Sequence, residues 1–205
     1  MTPAEFLRLF FAAFCLTGAA AVPALAAGDP SAACGACHGK DGASTESDVP
    51  IIGGLSAAFL ADTLKSYKDG TRYCPETAYR AGEKKGAKTT MCAIAKDLAP
   101  DDMTALPAFF AEKKFVRPPQ APNAASAAKG KELHETYCEK CHSEGGSLAA
   151  DDASILAGQW MPYLAEQLRL FRSGQRVPLA KMKLKLDQLQ PADFDALVNY
   201  YGSFK

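Results

Sequence analysis

The pattern that most constrains this chain is C-x-x-C-H, which occurs as CGACH at 34–38 and as CEKCH at 138–142. It is the attachment signature of c-type haem: about one helical turn presents two thiols to one porphyrin, and the next imidazole reaches the iron from the same side. A zinc half-site or a redox dithiol would explain a single C-x-x-C, but not a histidine at the same following position in both copies. We therefore expect two covalently attached haems. Their protein partners would be the thiols of Cys34, Cys37, Cys138 and Cys141 and the imidazoles of His38 and His142.

The likeness between the two halves continues beyond these motifs at the same offset of 104 residues. Both halves have apolar residues at i and i+4 and a glycine after the last turn, which is typical of amphipathic helices. The matched pairs are Gly54 and Gly158, Leu60 and Leu164, Leu64 and Leu168, Tyr67 and Phe171, Gly70 and Gly174, and Arg72 and Arg176. The pattern predicts an all-α chain that duplicates one haem domain.

A second offset, of 91 residues, aligns the two terminal helices and places Met91 on Met182. A methionine taken at random more often fills a core than binds a metal. Here the shared position in two haem repeats favours ligation, and the only further histidine, His134, is expected on the surface of the helix before Cys138. We therefore predict Met91 and Met182 as the sixth ligands, with lysine as the alternative.

The first residues have the character of an export signal. An apolar run at 9–22 precedes the small-residue site Ala24-Leu25-Ala26, which predicts a signal peptide at 1–26, cleavage near Ala26 and a periplasmic protein. The run is shorter than the roughly 20 apolar residues of a membrane span, so no span is expected in the mature chain. The 23 basic and 23 acidic residues balance, and no basic stripe indicates nucleic-acid binding.

The first half carries 13 more residues than the second between Arg72 and Met91, since the two offsets differ by that number. Cys74 and Cys92 lie near the ends of this insertion. We expect a disulfide that closes the loop beside Met91, with two free buried thiols or a second metal site as alternatives. Lys84, Lys85 and Lys88 within the insertion are expected to form a solvated rim.

These boundaries divide the mature chain into two small domains. We predict a first domain at 27–117, a Pro/Ala linker at 118–128 and a second domain at 129–205. Each domain is small enough that the protein alone would form a marginal core, so the haem is expected to be part of it.

Several segments resemble the dihaem cytochrome c subunit of flavocytochrome c sulfide dehydrogenase. They are CGACHG and MCAIAKD in the first half, and KELHETYCEKCHSEGG, ILAGQWMPYLAEQLRLFRSGQR and the Lys181-Met182 pair in the second. The resemblance implies two tandem class I cytochrome c-like domains, with His38/Met91 and His142/Met182 as iron ligands. It also implies a heterodimer with an FAD flavoprotein that oxidises sulfide, and electron transfer onward to a soluble cytochrome c. No flavin fingerprint occurs in this chain, so it would be an electron-transfer subunit and not an enzyme on its own.

Two other functions remain open from the sequence. A free-standing dihaem shuttle to a terminal oxidase would have nearly the same two-domain layout. An enzyme such as a dihaem peroxidase or a thiosulfate dehydrogenase would need an open iron or a His/Cys pair of ligands, and Cys92 beside Met91 is the one feature that supports this alternative.

Overall fold

The computed structural model describes residues 31–205, and the predicted signal peptide lies outside these residues. Within them the α-helices are α1 (Ser31–His38), α2 (Ala57–Lys68), α3 (Met91–Asp97), α4 (Asp102–Ala111), α5 (Ala124–Tyr137), α6 (Ser143–Gly146), α7 (Met161–Arg172), α8 (Ala180–Leu186) and α9 (Pro191–Gly202). Short 3-10 turns lie at Lys40–Gly42 and Ala149–Asp151, and a small hairpin pairs β1 (Thr77–Ala78) with β2 (Lys88–Thr89). The all-α prediction is confirmed, with this hairpin as a small addition.

The duplication is visible in the backbone. Helices α2 and α7 both have 12 residues and begin 104 positions apart. In each half a glycine N–H donates to the last helix of that half: Gly54 to the carbonyl of Phe110 at 2.8 Å, and Gly158 to that of Tyr201 at 2.7 Å. Both glycines have φ of +79°, a left-handed conformation that residues with a Cβ rarely adopt. The two offsets, 104 and 91, thus describe one repeated fold.

The core of the first half lies between α2 and α4. Leu55, Leu60, Leu106 and Phe110 are its buried residues, and Ile155 from the second half joins them. Cys34 of the first attachment motif packs against the same cluster, as does Leu98, which follows α3. The attachment motif and the end of the helix that carries Met91 therefore meet on one apolar core.

The core of the second half is built around α9, which packs against α5 and α7. Its buried residues are Leu164, Leu189, Phe194, Leu197, Val198 and Tyr201. Cys138 and Leu186, the last residue of α8, pack against this cluster. The second attachment motif and the helix that carries Met182 thus share one core in the same way.

Gly130 on α5 is the point of closest approach between α5 and α9. A Cβ at this position would lie 2.0 Å from the backbone oxygen of Ala196 and 2.7 Å from the Tyr200 Cβ. Because the first obstacle is backbone, the helices would have to separate. We expect Gly130→Ala to lower the free energy of unfolding by about 1–3 kcal/mol, the usual cost of overpacking.

Denaturant unfolding of the holoprotein, followed by far-ultraviolet circular dichroism, measures this effect. Glu132→Ala, at an exposed position of the same helix, is the matched control and is expected to change stability little. Equal stabilities of the two variants would contradict the proposed close packing.

The two halves are joined by a buried polar contact. The Gln159 side chain accepts from the N–H of Ile51 at 3.0 Å and donates to the carbonyl of the same residue at 2.9 Å. Gln159 and Ile51 are 1% and 0% exposed, so this reciprocal pair is closed to water. The indole N–H of Trp160 donates to the carbonyl of Ser44 at 3.1 Å, and the Tyr163 N–H donates to that of Ser47 at 3.1 Å. Trp160 and Tyr163 therefore line the seam between the halves.

The connection between the halves is extended at first and then helical. Asn123 caps the start of α5, since its side chain accepts from the Ser126 N–H at 2.9 Å. The helix thus begins inside the predicted linker at 118–128. In the described residues no helix is long and apolar enough to cross a membrane.

Candidate functional site

The first attachment motif lies within α1, so Cys34 and Cys37 are separated by one helical turn. His38 is 8% exposed, and its Nδ1 donates to the carbonyl of Pro50 at 2.9 Å. This bond orients the ring and leaves Nε2 as the nitrogen with a lone pair for a metal. Burial lowers the pKa of His38 and the Pro50 bond only partly opposes this, so the imidazole is held neutral.

The second attachment motif begins where α5 ends, and it forms a turn rather than a helix. The N–H of His142 donates to the carbonyl of Cys138 at 3.0 Å, which closes the turn. Burial lowers the pKa of His142, an effect that the carbonyl of Ser154 partly opposes. Ser154 lies 104 positions after Pro50, the residue that bonds His38. In the second repeat the corresponding hydrogen bond is not formed, because Nδ1 of His142 is buried without a hydrogen-bond partner among the described residues. Both repeats thus place an imidazole with a lowered pKa beside the attachment thiols, buried at His38 and half-buried at His142.

The two predicted methionine ligands lie at the starts of short helices. Met91 is the first residue of α3, where the Thr90 side chain caps the helix by accepting from the Ala93 N–H at 3.0 Å. Met182 is the third residue of α8, which begins at Ala180. The stretch around Met182 alternates like a strand in sequence but is helical. Both side chains are half-buried.

The insertion of the first half folds as the β1–β2 hairpin. Thr77 pairs with Thr89 and Ala78 with Lys88. Cys74 and Cys92 form a disulfide at its base, with their Cα atoms 5.9 Å apart. Because Cys92 is bonded, its thiolate is not available as an iron ligand.

His134 is not on the surface, and that expectation was wrong. It is 0% exposed, with Nδ1 2.9 Å from the hydroxyl of Tyr201 and Nε2 bonded to the Glu139 carboxylate. Since a carboxylate only accepts, Nε2 is the donor. Glu139 also accepts from the N–H groups of Glu144 at 2.9 Å and Gly145 at 3.3 Å. The network ties α5, α9 and the turn after His142 together.

This network predicts that the second domain loses stability in acid. Burial raises the pKa of Glu139, but the bonds from His134, Gly145 and Glu144 outweigh it and lower that pKa below its usual range. A carboxyl with a lowered folded pKa contributes stability above its unfolded pKa and loses it as the pH falls through the folded one. We expect Glu139→Gln to reduce this acid-dependent loss.

Acid unfolding of the holoprotein, followed by circular dichroism between neutral pH and about pH 2, measures this effect. Glu132→Gln on the exposed side of α5 is the control and is expected to retain the wild-type profile. A Glu139→Gln profile parallel to that of the wild type would show that the Glu139 bonds do not set the acid response.

Comparison with known proteins places this geometry in a family. The sequence profile described as cytochrome C oxidase, cbb3-type, subunit III matches residues 125–200. Cytochrome c4 of Pseudomonas aeruginosa is 32% identical over 170 residues, which cover 78% of this chain and 78% of that protein. The chain belongs to the cytochrome c4 family.

Other relatives of this cytochrome extend the comparison. The thiosulfate dehydrogenase electron acceptor of Thiomonas intermedia is 29% identical over 197 residues, covering 90% of this chain and 84% of that protein. Reduced cytochrome c4 of Pseudomonas stutzeri superposes with a TM-score of 0.68 at 27% identity, covering 85% of this chain and 95% of that one. A thiosulfate dehydrogenase from Marichromatium purpuratum has a TM-score of 0.67 at 28% identity, covering 83% of this chain and 36% of that one. The prediction of two class I cytochrome c domains is confirmed.

This cytochrome therefore carries two covalently attached haem c groups and transfers electrons. Its residues fit that cofactor, because an imidazole with a lowered pKa lies beside each pair of cysteines, buried at His38 and half-buried at His142. Among residues 31–205 no group of three or more His, Cys, Asp or Glu could hold a metal ion by itself. The assignment of individual ligands, His38 with Met91 and His142 with Met182, stays a prediction.

The seam between the domains carries two arginines at equivalent repeat positions. Arg72 lies over the ring of Tyr67 at 4.7 Å, and Arg176 over that of Phe171 at 4.3 Å. The amide oxygen of Gln167 accepts from both guanidinium groups. Burial and then the charge of Arg72 lower the pKa of Arg176 to about 10. Among the described residues neither arginine has a carboxylate partner in an ion pair, so both could pair with the propionates of haem.

Proposed function

We propose that this cytochrome is the electron-accepting partner of a periplasmic dehydrogenase that oxidises a reduced inorganic sulfur compound. The observation that carries the proposal is a likeness across both domains to a protein named as a thiosulfate dehydrogenase electron acceptor. The motif segments that resemble the sulfide dehydrogenase subunit point to the same class of substrate. Both comparisons make the chain a carrier of electrons and leave the sulfur chemistry to a partner.

Two partners have specific support. The first is an FAD flavoprotein that oxidises sulfide and forms a heterodimer with this chain, as the segments KELHETYCEKCHSEGG and ILAGQWMPYLAEQLRLFRSGQR suggest. The second is a thiosulfate dehydrogenase, supported by the relative of that name and by the fold match to such an enzyme. In either case a soluble cytochrome c would receive the electrons.

The proposed iron ligands are His38 with Met91 in the first domain, at 27–117, and His142 with Met182 in the second, at 129–205. A thioether ligand favours ferrous over ferric iron and raises the reduction potential relative to a second imidazole. With these four residues as ligands, this chain would hold each iron from both sides and leave no position for a substrate. Haem supplies reversible one-electron chemistry when bound.

The protein residues give that chemistry its setting. The Pro50 carbonyl fixes the His38 ring, and the Cys74–Cys92 disulfide restrains the backbone next to Met91. The apolar clusters around Leu60 and Leu197 pack against Cys34 and Cys138, the first thiol of each attachment motif. A rigid, largely apolar setting lowers the reorganisation that accompanies each electron transfer.

Stopped-flow reduction of the full-length oxidised holoprotein tests the proposal. One mixture contains a flavoprotein sulfide dehydrogenase and sulfide, the other a thiosulfate dehydrogenase and thiosulfate, and each substrate without enzyme is the control. We expect enzyme-dependent reduction of both haems in one mixture, and co-purification with flavin absorbance if the partner is the flavoprotein. Reduction in neither mixture, together with rapid oxidation of the reduced protein by a terminal oxidase, would overturn the proposal in favour of a free-standing shuttle.

A further inference from the structure

We infer that the hairpin of the first domain, residues 73–90, covers the edge of the first haem at Cys37, whereas the matching edge of the second haem at Cys141 is open. External redox proteins then exchange electrons through the second domain, and the first haem communicates mainly through the second. This inference rests on electron transfer by two haems. It does not depend on which dehydrogenase is the partner.

The hairpin folds back onto the helix that carries the first attachment motif. The N–H groups of Arg80 and Ala81 both donate to the carbonyl of Ala36, at 3.0 and 2.9 Å. The sulfur of Cys37 lies 3.9 Å from the carbonyl oxygen of Ala78. The hairpin backbone therefore lies directly against the thiol that attaches the porphyrin.

The hairpin is anchored at its other end beside Met91. The strand β2 ends at Thr89, two residues before Met91, and the disulfide joins Cys74 to Cys92. The hairpin thus reaches from the attachment helix α1 to the proposed ligand helix α3. A segment tied to both sides of a haem pocket shields the edge between them.

An ion pair and the strand pairing hold the hairpin in this position. Arg80 binds the Asp48 carboxylate, which lies on the loop after the attachment motif. Residues 81–88 are all exposed, so the outer face of the hairpin is in solvent while its inner face lies on α1. The hairpin therefore lies between α1 and the solvent.

The second domain lacks this cover. After Arg176, the counterpart of Arg72, only three residues precede α8. Cys141, which corresponds to Cys37 at the 104-residue offset, is exposed, whereas Cys37 is half-buried. The duplication thus provides an internal comparison in which only one of two matched edges is shielded.

Nuclear magnetic resonance of the ferrous holoprotein tests the inference. A neutral nitroxide in solution relaxes protons in proportion to their exposure, and an uncharged probe avoids attraction to lysines. The readout is the relaxation enhancement of the thioether-bridge methyl group at Cys37 against that at Cys141. We expect the Cys141 methyl to be relaxed several-fold more strongly in the wild type.

Two variants then open the cover by different routes. One replaces residues 75–88 by a short linker of the length found in the second domain, and Cys74→Ser with Cys92→Ser releases the hairpin without shortening it. Both are expected to bring the two methyl enhancements close together. Lys84→Ala with Lys85→Ala, which changes the charge at the tip and keeps the cover, is expected to preserve the wild-type difference.

Equal enhancements in the wild type would overturn the inference, and so would an unchanged difference in both opened variants that retain two haems. The outcome is separate from the partner test, because no dehydrogenase is present. A positive result here with no reduction by either dehydrogenase would leave the shielding intact and remove only the proposed partner.

Discussion

Replacing Met182 with alanine is expected to leave the second haem with an open axial position, so that the ferrous protein binds carbon monoxide there while the first haem does not. Loss of the thioether also removes its preference for ferrous iron, and the potential of that haem is expected to fall by on the order of 0.1 V, within the about 0.8 V that haem ligation and surroundings span. Met91→Ala is expected to give the same pair of changes at the first haem. Carbon monoxide difference spectra and a spectroelectrochemical titration measure them.

The matched control is Met103→Ala. Met103 lies on α4 and is half-buried, so its loss removes a packed methionine without touching the proposed ligands. We expect this variant to bind no carbon monoxide and to retain both potentials. Carbon monoxide binding by Met103→Ala at the level of Met182→Ala, or its absence in Met182→Ala, would contradict the ligand assignment.

Gln159→Leu is expected to weaken the association of the two domains. The substitution introduces an apolar side chain of similar size and leaves the N–H and the carbonyl of Ile51 buried without their partners. Each unsatisfied group costs about 1–3 kcal/mol. Chemical denaturation monitored at the haem absorption bands is expected to show a lower midpoint and, where the domains uncouple, two transitions instead of one.

Gln188→Leu is the control for this second prediction. Gln188 is exposed and follows α8, and its side chain donates to the carbonyl of Leu184 in that helix, so the change affects no contact between domains. We expect its unfolding to remain close to that of the wild type. If Gln159→Leu unfolded no more easily than Gln188→Leu, the reciprocal bond with Ile51 would not be what holds the seam.

The repeat made much of the fold predictable from sequence. Matching positions in two halves constrain each other, and the offset of 104 therefore located both middle helices, while the offset of 91 located both terminal helices. The structure also contains the expected disulfide, Cys74–Cys92. These features depend on spacing, which a sequence records directly.

The burial of His134 was within reach of the same reasoning. Gly130 and Tyr137 of α5 both pack against the core built around α9. His134 lies four residues after the first and three before the second, so helical periodicity places it on the same face. The surface position was predicted because the side chain is polar. Its hydrogen bonds to Tyr201 and Glu139 make burial favourable instead.

Two other features were not predictable in this way. The hairpin has no counterpart in the second half, so the repeat says nothing of its path, and its contacts with Ala36 and Asp48 join residues more than 30 positions apart. Gln159 is a single polar residue whose role depends on the backbone of Ile51, 108 positions away. Long-range contacts of a single residue leave no periodic signal in a sequence.

The central claim is that this chain holds each iron between an imidazole and a thioether, so that only electrons enter and leave. The most direct measurement is the near-infrared spectrum of the fully oxidised holoprotein, where ferric haem with these two ligands has a weak charge-transfer band. We expect a band with the intensity of two such haems in the wild type, one in Met91→Ala or Met182→Ala, and none in the double variant. A wild-type spectrum without the band, or a band that survives in the double variant, would contradict the claim.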